Sequence, residues 1–329
     1  MRIDARDRER FTNTRKGIQS DSVEPALSGG KLHFTCNICA SRNLASLDFS
    51  DREKATCESC GSSARLRSVL LVLSRALFDA DLPLVEFPTL KSIRGIGISD
   101  SEVYASGLEQ AFSYHNTYFH KEPKFDLREP DEREFGKYDF VVCSEVLEHV
   151  APPVDRAFET LARLLTPTGI LILTLPYSID ATTIEHFPGS AEFALVEIND
   201  KTILVSGDQE TYRVFDQLSF HGGHGSTVEM RLFSESDIRK RLFSAGLADV
   251  RIGTKSSKEF GVVFSGPCSL PITASREGFF LRPPGINELI QQLIVDRKQL
   301  KMAGMSRWVR LGRRLGLGPA IDFERRRCR

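Results

Sequence analysis

No stretch of this chain is apolar for the roughly 18 to 20 residues that a bilayer-crossing helix needs, and the first twenty residues are too charged for a secretory signal. Both absences make the cytoplasm the expected location. Net charge is absent too, because 44 Lys and Arg balance 44 Asp and Glu. The one imbalance is local: from Ile286 to the end, eleven Lys/Arg face four Asp/Glu. Cysteine is scarce, and outside one short stretch only Cys143, Cys268 and Cys328 occur, which suits a reducing compartment and not a disulfide framework. What is present is enough for a sizeable core, since 329 residues with 41% hydrophobic content fit one large domain with one or two small attachments.

The cysteines that remain are Cys36 and Cys39 in CNIC, then, after seventeen residues, Cys57 and Cys60 in CESC. Two such pairs at this separation have the spacing of a structural zinc site, each knuckle supplying two thiolates to one tetrahedron. Gly61 directly follows the second pair, where a tight metal-binding turn often requires a left-handed residue. Four thiolates leave no open coordination position, so a Zn2+ ion here is expected to hold a module together and not to perform chemistry. The activity has to lie elsewhere.

Composition divides the chain into segments 1–30, 31–63, 64–88, 89–270 and 271–329. The first is polar and aperiodic and is expected to be disordered, and the second holds the ribbon. In the third, Leu66, Val69, Leu70, Leu73 and Leu77 recur at helical spacing over 64–80, with Arg65, Arg67 and Arg75 between them. From residue 89 strand-like and helix-like runs alternate, which predicts a parallel sheet wrapped by helices. Strands are expected at 90–98, 114–119, 138–143, 170–175, 250–252 and 261–264, and helices at 102–112, 153–165 and from the Ser234 cap to 245. Residues 178–230 break the alternation with a β-rich stretch at 193–198 and 202–206 and the segment HGGHG. The last segment reads as helical, with Ile286, Leu289, Ile290, Leu293 and Ile294 on one face. The 89–270 body is expected to have a core of its own, independent of the ribbon.

Residues 138–176 read YDFVVCSEVLEHVAPPVDRAFETLARLLTPTGILILTLP. This segment resembles the second half of a class I S-adenosylmethionine-dependent methyltransferase, in which an apolar strand ends in a VLEHV loop and a helix, a turn and a second apolar strand follow. The resemblance covers roughly residues 90–265 and implies an α/β, Rossmann-like doubly wound sheet that binds S-adenosyl-L-methionine. Its glycine motif, an acidic residue followed by G-x-G-x-G, is kept here only at Gly95 and Gly97, with Ile93 where the acid would be, Ser99 in the third glycine's place and Asp100 next. The resemblance implies that Gly95, Gly97 and Ser99 adjoin the cofactor's methionine end, with Asp100 either touching it or capping the next helix. It also implies Glu122 as the ribose acceptor, Asp126 on the adenine amino group beside Leu127, and Ser144 and Glu145 facing the sulfonium and methyl.

Methyl transfer is an in-line displacement at a cationic sulfur, so the protein chiefly positions the partners and excludes water. A base assists when the acceptor is a hydroxyl or an ammonium. His149 suits that role because imidazole titrates near neutrality, although a histidine that only shapes the loop reads identically. His221 and His224 on the glycine-rich loop are further catalytic or acceptor-binding candidates, with Glu229 as a residue that orients one of them. Two histidines at i and i+3 with no carboxylate pattern make a poor metal site. The expected acceptor is a small or carbohydrate-like molecule lying between the EHV and HGGHG loops.

The tail with Arg307, Trp308, Arg310, Arg313 and Arg314 reads as a solvated helix face that nucleic acid, an anionic surface or a partner protein can also use. It lacks the aromatic interleaving that stacks bases. The competing reading is a non-catalytic binding protein in which ribbon and tail recognise nucleic acid or protein and the altered glycine segment holds no cofactor.

Overall fold

The computed structural model describes residues 27–28, 31–46, 51–190, 192–199, 201–207, 212–221, 227–307, 309 and 311. Nearly all of the segment expected to be disordered, His224, and the Trp308, Arg310 and Arg313–Arg314 part of the tail lie outside these residues. Among the described residues no helix is long and apolar enough to cross a membrane.

The chain begins as a small antiparallel sheet of β1 (Leu27–Ser28), β2 (Lys31–Thr35) and β3 (Arg42–Ser46). Leu32 and Phe34 of β2 alternate inward, as period-two patterning requires of a half-buried strand. Helix α1 (Ala64–Phe78) opens where the Ser63 hydroxyl accepts the Leu66 amide. It ends at Phe78, two residues short of the expected end, where Asp79 turns left-handed at φ 53° and returns its amide to the Arg75 carbonyl.

The main body runs β4 (Leu90–Ile98), α2 (Glu102–Ala111), β5 (Phe112–Thr117), β6 (Tyr138–Ser144), α3 (Asp155–Leu164) and β7 (Leu165–Thr174). The central β4 pairs in parallel with β5 on one side and β6 on the other, and β6 pairs in parallel with β7. All of β6 is buried, which explains its apolar run from Phe140 to Cys143: both faces of the sheet are covered there. Strand β5 starts two residues earlier than expected. Phe112, helical by periodicity, is drawn into the strand by ring packing against Phe78, Phe87 and Phe140.

An excursion follows: β8 (Tyr177–Ser178), β9 (Ile184–Glu185), a meander of β10 (Phe193–Ile198), β11 (Lys201–Gly207) and β12 (Tyr212–Phe215), the pair β13 (Phe220–His221) and β14 (Thr227–Val228), then β15 (Arg231–Ser234). Its own core is Phe187, Leu204, Val228 and Met230. Helix α4 (Glu235–Ser244) starts at the anticipated Ser234 cap, and β16 (Asp249–Ile252), β17 (Ile272–Ser275) and α5 (Pro283–Met305) complete the chain.

The main sheet is ordered β5-β4-β6-β7-β17-β16. It is mixed and not wholly parallel as expected, because β17 enters antiparallel between β7 and β16. The strand expected at 261–264 is replaced by β17. Gly261 is left-handed at φ 64° and lies against the Phe34 ring, so this segment is a turn moulded on the ribbon and leaves the sheet position to Ile272–Ser275. On α5, Leu289 packs on the body, but Ile286, Ile290, Leu293 and Ile294 stay exposed, so the expected apolar stripe is not a buried face. Glu288 accepts the Ser92 amide and Arg282 pairs with Asp139, which anchors α5 at the amino ends of β4 and β6.

Helices α3 and α4 cover one face of the sheet, with Phe158, Leu161, Ile238 and Leu242 packed on Val141, Leu171 and Leu173. The other face carries α1, α2 and the ribbon in one continuous core: Phe34, Cys36, Ile38 and Cys57 share it with Val69, Leu73, Ile93, Phe112 and Phe140. The body's core is therefore not independent of the ribbon. At the seam lies Arg67, wholly buried, with its guanidinium 4.4 Å from the centre of the Phe34 ring. It donates to the carbonyls of Phe260, Ser62, Ala55 and Gly261 at 2.8, 2.6, 2.7 and 3.0 Å. Replacing it with leucine takes these donors from the carbonyls of Phe260, Gly261 and Ala55 and leaves Ser62 only the Cys57 amide. Arg67→Leu should cost about 3 to 5 kcal/mol, read as a lowered midpoint in denaturant unfolding; a change under about 1 kcal/mol would contradict this role.

Candidate functional site

Two knuckles with the same hydrogen-bond pattern converge at the ribbon. In the first, the Cys36 amide donates to the Ser41 carbonyl and the Ala40 amide to the Cys36 carbonyl; in the second, Cys57 donates to Ser62 and Gly61 to Cys57. Gly61 is left-handed at φ 72°, as the sequence suggested, and Ala40 takes the matching place at φ 59°. The four Sγ atoms lie within 4.8 Å of one another, with Cys36 to Cys60 at 3.7 Å and Cys39 to Cys57 at 3.6 Å. A tetrahedral ion with bonds of about 2.3 Å separates its sulfurs by about 3.8 Å, so this cluster fits zinc without rearrangement. The Ser62 hydroxyl lies 3.3 Å from both Cys36 and Cys60, and Ser41 lies 3.1 Å from both Cys39 and Cys57. These hydroxyls and the Ile38 amide on Cys36 are the outer contacts that hold thiolates in place.

A second constellation forms at the carboxyl edge of the sheet, where β4 has neighbours leaving in opposite directions and an open α/β sheet has its natural crevice. Two residues there other than glycine are left-handed, Ser99 just past β4 at φ 52° and Glu145 just past β6 at φ 56°. Such backbone costs on the order of 1 kcal/mol each and is concentrated at functional sites. Burial and then the Glu148 carboxylate raise the Glu145 carboxyl, while Arg52 and Arg65 act against them. Arg52 grips both Glu145 oxygens, at 3.0 and 2.5 Å, and Arg65 donates to the Ser144 hydroxyl at 2.9 Å. Ser144 also shares a 2.8 Å hydrogen bond with Thr174. Sequence reasoning missed both arginines. Arg65 appeared only as a polar residue of an amphipathic helix, and Arg52 lies between the cysteine pairs with no motif to mark it.

The EHV loop closes the same edge. His149 Nδ1 donates to the Val228 carbonyl at 2.8 Å, which fixes the tautomer, and Nε2 lies 3.6 Å from Glu148. The wholly buried Arg231 donates to the Leu147 and Val150 carbonyls and pairs with Glu185, and the Met230 amide donates to the Glu148 carbonyl. The chain just after HGGHG is thus bound to the EHV loop. Backbone pairing places His221 opposite Thr227. Glu229 pairs with His186 at 3.3 Å, a histidine absent from the sequence-level candidates.

The remaining candidates are placed as follows. Gly95 and Gly97 lie inside β4 and not in a loop after it. The space a Cβ would need is filled by the Phe140 ring at Gly95 and by the Tyr114 hydroxyl and Asn116 at Gly97, so packing of the protein itself accounts for both glycines. Asp100 is buried and accepts the hydroxyls of Tyr104 and Tyr114. Glu122 is exposed and accepts the Lys124 amide. Asp126 accepts the Arg128 amide, and Leu127 is buried in the core.

Residues 82–171 match a family model described as a methyltransferase domain. That match covers 90 of the 329 residues, from just before β4 into β7, and the sheet there has the Rossmann-like α/β arrangement of a methyltransferase domain. No curated protein matches the chain. Among solved structures, a sugar N-methyltransferase of Streptoalloteichus is 15% identical with a TM-score of 0.38, over 80% of this chain and 100% of that one. The 1,6-didemethyltoxoflavin N1-methyltransferase of Burkholderia thailandensis is 14% identical with a TM-score of 0.35, over 66% of this chain and 78% of that one. An amino pentose methyltransferase of Micromonospora echinaspora is 15% identical with a TM-score of 0.35, over 66% of this chain and 92% of that one.

Burial pushes the Asp100 carboxyl up to about 6, against the hydroxyls of Tyr104 and Tyr114. In the unfolded chain it returns towards 3.8 and loses its proton first, so its contribution to stability is present at low pH and falls away as pH rises from about 4 to about 6. Asp100→Asn should therefore gain in melting temperature relative to the wild type across that interval and hold the gain above it. A difference independent of pH would show that the carboxyl is not raised.

Proposed function

We propose that the chain transfers the methyl group of S-adenosylmethionine to a small-molecule or carbohydrate-like acceptor, with a structural zinc ion held by Cys36, Cys39, Cys57 and Cys60. The observation that carries this reading is the meeting, at one sheet edge, of the left-handed Ser99 and Glu145 with a loop whose histidine is fixed in a single tautomer. The cofactor supplies a methyl group on a sulfonium whose charge disappears on transfer. Ser99, Ser144 and Glu145 border that end, and Asp126, beside Leu127, faces the adenine, with Glu122 nearer the ribose. Gly95 and Gly97 give β4 room for Phe140 and Tyr114, and their backbone adjoins the cofactor's methionine end.

His149 acts as the base. Its Nδ1 proton stays on the Val228 carbonyl, Nε2 accepts the acceptor's proton, and the Glu148 carboxylate 3.6 Å away stabilises the imidazolium. Arg231 holds the loop to the strand behind it and so fixes where Nε2 stands.

The test uses cofactor labelled in its methyl group, incubated with the enzyme and a cell extract. Label should enter the small-molecule fraction, and His149→Gln should lower the rate by about 10² to 10⁴ with S-adenosylhomocysteine affinity unchanged. Label appearing in macromolecules, or an undiminished rate in the variant, would contradict the reading. Elemental analysis should find one zinc per chain, lost in Cys57→Ser; metal-free protein purified without chelator would contradict the zinc assignment.

A further inference from the structure

We infer that the cysteine-held module is part of the cofactor site: Arg52 and Arg65 hold the amino-acid end of the cofactor together with Glu145, so that metal and cofactor bind cooperatively. The inference rests on the methyltransferase reading and goes beyond it by assigning a role to the ribbon.

An amino-acid end carries a carboxylate and an ammonium a few ångströms apart. It needs a guanidinium and a carboxylate in one place, both partly screened from water. The ribbon and the sheet edge supply that combination. Arg52 and Glu145 lie 93 residues apart in sequence, yet they form a two-point ion pair at the end of β6 with side chains 27% and 16% exposed. Arg65 adds a second guanidinium, 17% exposed, bonded to Ser144 and paired with Glu53. A cavity of about 330 Å³ opens beside the two arginines, lined by Arg52, Arg65, Ser68, Phe264, Cys268 and Ser269 among others. Arg52 and Glu145 satisfy one another across this edge, and a zwitterion can replace the pair bond by bond: its carboxylate meets the arginines and its ammonium meets Glu145.

The connection to the metal is short and made of backbone. The Arg52 carbonyl accepts the Arg65 amide at 2.9 Å and the Lys54 carbonyl accepts the Ala64 amide at 3.2 Å. Ala55 is held by Arg67, and Cys57 follows two residues later, its amide on the Ser62 carbonyl beside the Ser63 cap of α1. The position of Arg52 is thus set by the knuckle that holds the ion and by the first turn of the helix that carries Arg65. Releasing the metal frees that knuckle and with it Arg52, and by linkage a ligand that fixes Arg52 must hold the metal more tightly.

The experiment titrates S-adenosylhomocysteine and, separately, 5′-methylthioadenosine, which lacks the amino-acid end, into zinc-loaded wild type, Arg52→Gln and Arg65→Gln. Zinc release to a colorimetric chelator is followed with and without saturating S-adenosylhomocysteine. Each variant should keep one zinc, bind S-adenosylhomocysteine about 10- to 100-fold more weakly, and bind methylthioadenosine as the wild type does. Saturating S-adenosylhomocysteine should slow zinc release from the wild type about tenfold, and Arg52→Gln should lose the effect. Equal S-adenosylhomocysteine affinity in all three proteins, with zinc release indifferent to ligand, would overturn the inference while leaving the methyltransferase reading intact. Equal weakening towards both ligands would also overturn it, by showing a general structural effect. A wild type that binds neither ligand would overturn the underlying reading.

Discussion

The buried guanidinium of Arg67 is the interaction on which the rest of the structure depends. A cation at zero exposure is tolerable only when its donors are satisfied and its charge is opposed, and here both conditions come from different parts of the chain. Burial lowers the tendency of Arg67 to hold its proton, and the four cysteines oppose that effect. Four thiolates around a divalent ion carry two surplus negative charges, so the arginine and the metal cluster each reduce the cost of burying the other. Its hydrogen bonds join the loop between the cysteine pairs, the second knuckle and the turn at Phe260–Gly261. Through that one side chain the ribbon, α1 and the segment preceding β17 become one packed unit.

The site edge inherits its shape from this unit and from a second buried cation. Arg231 does for the EHV loop what Arg67 does for the ribbon: it gathers backbone carbonyls and fixes a loop that has little regular structure. At the same edge Glu145 is raised by its surroundings and His149 is locked by the Val228 carbonyl. Precision at this edge comes from buried polar anchoring more than from the sheet alone.

Local patterning made much of this legible. The two cysteine pairs, the left-handed Gly61, the Ser234 cap and the apolar run Phe140–Cys143 of β6 all follow from short-range rules, and the structure has each of them. The failures come from tertiary packing. Phe112 joins a strand because three phenylalanines surround it, and Gly261 bends because Phe34 lies beneath it. The antiparallel β17 has only four residues, with nothing in its sequence to announce its direction. The glycines of β4 illustrate a harder limit, since a residue needed for close approach reads the same whether the approaching group is a ligand or a side chain such as Phe140 or Tyr114. Arg52, Arg65 and His186 carried no motif, and only their distant partners reveal them.

Treating the ribbon as continuous with the methyltransferase body is the central claim, and hydrogen exchange read by mass spectrometry on zinc-loaded and zinc-stripped protein, thiols kept reduced, tests it most directly. The account predicts that stripping the metal removes protection not only from residues 31–62 but also from the first turns of α1, from the turn at 258–262 and from the Ser144–Val150 edge. Loss of protection confined to 31–62, with the sheet edge unchanged, would contradict it and would make the ribbon a separate bead on an independent domain.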